Sequence, residues 1–236
     1  MSRSTFVINL LLVTGLASNL LAQKPPSRAP LPAPGATQQG APHTPSPNLN
    51  NPAFQQELAA IQDRIGNASG QVMNRIVQAE NDVYIRFSYF KKPERLDPNS
   101  FATKDEVASW VKSLDELKAH EVALDRLYAN ADSDLQNALV AQQIPSPYAD
   151  QIKKELLKSF PWDTIHKKQL LMQDYVANHG ELLALYDKNW GAWKKGNQPL
   201  KPVFDNPDVG TSYAKLRDKI LSTGKQLEEQ FTVLRQ

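Results

Sequence analysis

The chain contains no cysteine. That absence removes a disulfide framework, a cysteine nucleophile, a thiolate zinc site, a c-type haem attachment and a lipid-modified cysteine behind a leader. Stability must then come from an apolar core, which fits a large helical domain in a bacterial periplasm or exterior better than a small secreted eukaryotic module. An excess of charge of one sign is also missing. The chain carries 27 basic and 25 acidic groups, and setting aside Arg3, Lys24 and Arg28 leaves residues 53–236 with 24 against 25. A balanced domain without a long basic run has no field to draw in nucleic acid. Hydrolase and nucleotide signatures are absent too: there is no Gly-x-Ser-x-Gly elbow, no His-Glu-x-x-His zinc helix and no phosphate-cradling glycine loop. Neither strand-like alternation nor a fixed repeat period is found.

The first fifty residues do not belong to a core. Arg3 is followed by an apolar run from Phe6 to Ala17 and then by small residues, which predicts a signal peptide over 1–22, cleaved after Ala22. Phe6 to Ala22, interrupted by Asn9, Thr14, Ser18 and Asn19, falls at the short, polar limit for spanning a bilayer. The expected location is therefore periplasmic or secreted, with no transmembrane span in the mature chain. From Gln23 to Pro52 the composition shifts: nine of the seventeen prolines lie here without any apolar period. Such a stretch buries too little surface to offset its ordering entropy, and 23–52 is expected to be a disordered spacer.

Residues 53–236 carry helical periodicity throughout. Ile61, Ile65, Ala68, Val72, Ile76, Val83 and Phe87 predict a first helix from Pro52 to Phe90, in register across Gly66 and Gly70, where a bend or break could fall. Val107, Trp110, Leu114, Leu117, Leu124, Ala131, Leu135 and Ala138 mark a second, opened by Thr103 and Glu106 in capping-box spacing and ending near Gln143. A third runs from Ser146 to Trp193 and is kinked or briefly broken at Phe160 to Asp163, because Pro161 removes a backbone bond and Asp163 offers a restart cap. Tyr213, Leu216, Ile220, Leu227 and Phe231 mark the fourth, with Gly224 near its apolar face. The expected fold is all-α: an antiparallel up-down-up-down bundle of four long helices with coiled-coil-like packing.

That topology would bring the ends of helices one and three to one pole. Tyr89, Phe90, Lys91 and Lys92 would then lie near Trp193, Lys194 and Lys195, a mixture of amphipathic rings and cations suited to a partner or a surface. The same residues also fit a plainer role, with aromatics plugging the bundle end and lysines facing the negative ends of helix dipoles. In the core, His179 lies on the apolar stripe between Tyr175 and Leu182, and Glu121 falls on the buried side of helix two. These two could meet, and with Tyr175 and Trp190 they form a candidate ligand site. Without a Glu-x-x-His motif the chain lacks the carboxylate-bridged di-iron pattern, so no metal and no cofactor is assigned. The leading expectation is an exported non-enzymatic helical protein that binds a protein partner or envelope surface, with self-association possible. The alternative is a small-ligand or metal-binding bundle, with an enzyme among the readings it leaves open, centred on His179.

Overall fold

The computed structural model describes residues 52–198 and 201–235. The expected signal peptide over 1–22 and all of the expected spacer except Pro52 lie outside the described residues. The described chain is almost wholly helical, with five helices and one pair of two-residue strands. These are α1 (Pro52–Phe90), α2 (Lys104–Ala141), α3 (Ser146–Lys158), α4 (Trp162–Lys188), β1 (Trp193–Lys194), β2 (Val203–Phe204) and α5 (Pro207–Leu234).

α1 runs without a break through Gly66 and Gly70. Ile65, Ala68 and Val72 are buried on either side of the two glycines, and the Ser69 hydroxyl donates to the Ile65 carbonyl. Packing of this face outweighs the roughly 1 kcal/mol that each glycine costs relative to alanine. Beyond Phe90, Pro93 and Pro98 each open a short 3-10 turn, Pro93–Leu96 and Pro98–Ser100. Thr103 caps α2 by accepting from the Glu106 amide at 3.3 Å. The Glu106 carboxylate reaches back one residue further than in the usual capping box, accepting from the Ala102 amide at 2.9 Å. α2 ends with Gln143 in the left-handed region (φ 60°). There the Ile144 amide donates to Leu139 and the Gln143 amide to Val140, the paired bonds of a Schellman stop.

The third expected helix is two helices. α3 stops at Lys158 and α4 restarts at Trp162 with Pro161 as its N-cap residue. Asp163 sits in the first turn of α4 and does not cap it, because the proline's preset φ starts the helix two residues earlier. Asn206 caps α5, accepting from the Asp208 amide at 2.9 Å. β1 and β2 pair antiparallel, Trp193 opposite Phe204 and Lys194 opposite Val203. This hairpin was not expected, since two-residue strands are too short to show alternation. Gly196 lies inside it, where a Cβ would collide with the Lys201 carbonyl.

The described residues divide into two units. The first holds 52–71 and 134–157. Its core is Ile65, Ala68, Leu139, Ile144, Ala149 and Ile152, with Ile61, Ala138, Tyr148 and Leu156 packed against it.

The second unit holds 72–133 and 158–235. Contacts along α1 and α4 ascend together: Glu80 meets Lys168, Phe87 meets Tyr175 and Phe90 meets His179. Contacts of α2 descend against both, with Glu80 meeting Tyr128 and Phe90 meeting Trp110, and Gln169 meeting Asp125 and Asp187 meeting Lys104. α5 descends as well: Tyr84 meets Arg235, Phe87 meets Phe231, and Tyr186 meets Tyr213.

Candidate functional site

The polar groups of the second unit fall into a buried charged layer, a histidine–tyrosine layer with a cavity beside it, and an aromatic pole. In the charged layer Lys168 takes a position on the α4 stripe and is 0% exposed. Its Nζ donates to Glu80 Oε1 at 2.9 Å and lies 3.6 Å from Glu121 Oε1, an ion pair too long for a hydrogen bond. The Tyr128 hydroxyl donates to the same Glu80 oxygen at 2.7 Å, and the Lys168 Nζ stands over the rings of Tyr128 and Phe231. Glu80 Oε2 and both Glu121 oxygens are buried without hydrogen-bond partners. Burial pushes the Glu121 carboxyl up to about 7; the Lys168 ammonium opposes this, while Asp125 and Glu80 add to it. A carboxyl raised in this way can bind and release a proton near neutral pH, but no group of three or more His, Asp or Glu is placed to hold a metal ion among the described residues.

In the next layer His179 is buried, its ring 4.4 Å from that of Tyr175 and edge-on to Phe90 at 5.4 Å. Its Nδ1 lies 3.3 Å from the Tyr175 carbonyl. Burial brings the imidazole down to about 4, and the carbonyls of Tyr175 and Phe90 recover part of the drop. The Tyr175 hydroxyl is buried with no hydrogen-bond partner. A cavity of about 240 Å³, partly open to solvent, is lined by Phe90, Leu96, Tyr175, Ile220 and Gly224, with the exposed Lys91 and Lys225.

At the pole the rings touch in series, from Phe90 to Trp110, Phe101, Tyr186, Trp193 and Phe204. The hydroxyls of Tyr186 and Tyr213 both donate to the Leu96 carbonyl, at 2.7 and 3.0 Å. Trp190 stands edge-on to Trp193 at 5.3 Å.

The residues singled out from sequence are thus distributed unequally. Tyr175 and His179 lie together, their rings tilted against each other. Glu121 belongs to the charged layer, where neither of its oxygens has a hydrogen-bond partner, while the His179 ring lies against Tyr175 and Phe90. Trp190 belongs to the pole. Phe90 is buried there, and Lys91 is held at 2.8 Å by Glu228. Tyr89, Lys92, Lys194 and Lys195 are exposed and Trp193 half-buried, with the Lys92 amine over the Tyr89 ring. Sequence reasoning missed Lys168, Glu80 and Tyr128. A signal existed, since Lys168 and Tyr128 each stand where the apolar period of their helix calls for a core residue.

Comparison of the chain with protein-family models, with curated proteins and with solved structures finds no match.

Proposed function

We propose that the protein is an exported, non-enzymatic helical protein that binds a protein partner or an envelope surface, periplasmic or secreted, through the pole that carries the β1–β2 hairpin. In this reading the second unit is an antiparallel up-down-up-down bundle with coiled-coil-like packing. The ascending contacts of α1 and α4 and the descending contacts of α2 and α5 support it. One observation carries the functional part. Lys92, Lys194 and Lys195 are exposed and make no ion pair among the described residues, next in sequence to the exposed Tyr89 and the half-buried Trp193. Unpaired cations beside amphipathic rings supply orientation and apolar contact area together. Plugging of the bundle end accounts for Phe90, Phe101 and Tyr186, which are buried, but not for these exposed groups. Among the described residues no helix is long and apolar enough to cross a membrane.

The test replaces Lys92, Lys194 and Lys195 together with Gln in the full chain. Exposed, unpaired charges contribute little to stability, so helical content and Tm should stay as in the parent. Capture of envelope material on the immobilised variant should fall at least severalfold. Equal capture by parent and variant would refute this surface.

A further inference from the structure

We propose, resting on the reading of the hairpin-bearing pole as the binding surface, that the outward face of the β1–β2 hairpin docks on the headgroups of a bilayer rich in anionic lipid. Charge sets the direction. From Lys188 to Phe204 the sequence holds four lysines and no acidic residue, within a region, 53–236, that carries 24 basic against 25 acidic groups. Lys194, Lys195 and Lys201 are exposed and make no ion pair among the described residues. Of the flanking acids, Asp187 is occupied by Lys104 at 3.0 Å, which leaves Asp205 against four cations.

The register of the ribbon sorts its side chains into two faces. Residues directly opposite each other in an antiparallel pair share a face, and successive residues alternate. Trp193 and Phe204 form one pair and pack inward, Trp193 against Tyr186 at 6.0 Å and Phe204 against Tyr213 at 5.2 Å. Lys194 and Val203 form the next pair and so take the opposite face, where Lys194 is exposed and Val203 is 59% exposed. A cation and an apolar side chain are thus held side by side toward solvent. The Asp205 amide donates to the Ala192 carbonyl at 3.0 Å, closing the base of the ribbon, where Trp190 and Trp193 are half-buried.

The residue types favour lipid over a protein. Protein interfaces are enriched in arginine and depleted in lysine, and all four cations here are lysines. Tryptophan and lysine together suit the membrane–water boundary instead: the indole takes the headgroup level, and the lysine stem lies along apolar surface while its amine reaches the phosphates. Each lysine close to an anionic leaflet strengthens partition about fivefold.

Cosedimentation of the full chain with vesicles of phosphatidylcholine alone, and of phosphatidylcholine with about one-third phosphatidylglycerol, tests the assignment. The readout is the ratio of the two partition coefficients, from which apolar contacts common to both vesicles cancel. The parent should give a ratio of at least about thirty at low salt, falling severalfold between about 0.1 and about 0.5 M salt. Replacing Lys194, Lys195 and Lys201 together with Gln should lower it at least about tenfold, and Val203→Asp, which sets an anion on the same face, about fivefold. Replacing Lys112, Lys118 and Lys167 with Gln removes the same charge from exposed positions on α2 and α4 and should change the ratio by less than about twofold. A parent ratio near one, a ratio unchanged in both hairpin variants, or an equal fall in the α2 and α4 variant would overturn the proposal. A parent ratio near one with lysine-dependent capture of envelope material retained would assign the pole to a protein partner; the same ratio with equal capture by parent and variant would remove the pole itself as a binding surface.

Discussion

Replacing Glu121 with Gln probes the buried layers of the second unit, because two groups there titrate in opposite senses across the same pH range. In the folded chain Glu121 titrates at about 7 against an ordinary 4.5, raised by burial. The folded state therefore keeps this proton longer than the unfolded state, and stability falls as pH rises from 4.5 to 7. His179 titrates at about 4 against an ordinary 6.5, lowered by burial. It loses its proton earlier on folding, so its share of stability rises as pH goes from 4 to 6.5. Integrated between about pH 5 and about pH 7.5, each group contributes about 2 kcal/mol, with opposite signs. The parent should then be nearly flat over this interval. Glu121→Gln leaves the histidine slope uncovered, and its stability should increase by about 2 kcal/mol from pH 5 to 7.5. His179→Gln leaves the carboxyl slope and should lose about the same. Urea unfolding at several pH values measures both. Parallel stability curves for the parent and the two variants would refute the opposed-titration argument.

Two further outcomes concern stability alone. Lys168→Met strands the buried Glu121 and the half-buried Glu80 carboxylates and should cost about 3–5 kcal/mol, with part of the loss recovered when Glu80→Gln is added; full additivity of the two changes in urea unfolding would mean that they do not act as a pair. Leu117→Ala removes a fully buried side chain and should cost about 2–5 kcal/mol. Lys118→Ala, on the exposed side of the same helix, should stay within about 0.5 kcal/mol, and equal losses at the two positions would contradict the assigned face of α2.

Much of the helical framework is legible in the sequence because burial repeats along it. Val107, Leu114, Leu117, Leu124, Ala131 and Leu135 are all buried at the spacing that marks them beforehand. Helix boundaries were legible for a separate reason: Pro93, Pro161 and Pro207 act through local sterics that do not depend on packing. The charged layer escaped because a lysine in an apolar register looks like a flaw in the pattern, and its partners on α1 and α2 lie 88 and 47 positions away. Periodicity identifies the face on which Lys168 lies but carries no information about which carboxylate from another helix will meet it. His179 and Tyr175 were found together because both are on one stripe, one turn apart. The cavity escaped entirely, since its lining is drawn from α1, α4, α5 and the turn at Leu96, although Gly224 already marked where α5 comes close to Tyr175 of α4.

The Leu96 carbonyl joins segments that are far apart along the chain: its two donors, Tyr186 and Tyr213, lie 90 and 117 residues away. A carbonyl oxygen has two lone pairs, and here both are claimed across loops of that length. The entropy of closing such loops must be met before either bond can form. In kinetic terms the junction is expected to close on the late side of the folding barrier, which φ-values of Tyr186→Phe and Tyr213→Phe near zero would bear out. Contacts formed after the transition state govern how fast a protein comes apart far more than how fast it assembles. On that expectation the stretch from Pro93 to Ser100, short and without an α-helix of its own, would serve as a latch on the lifetime of the folded second unit, with little influence on how quickly that unit is reached.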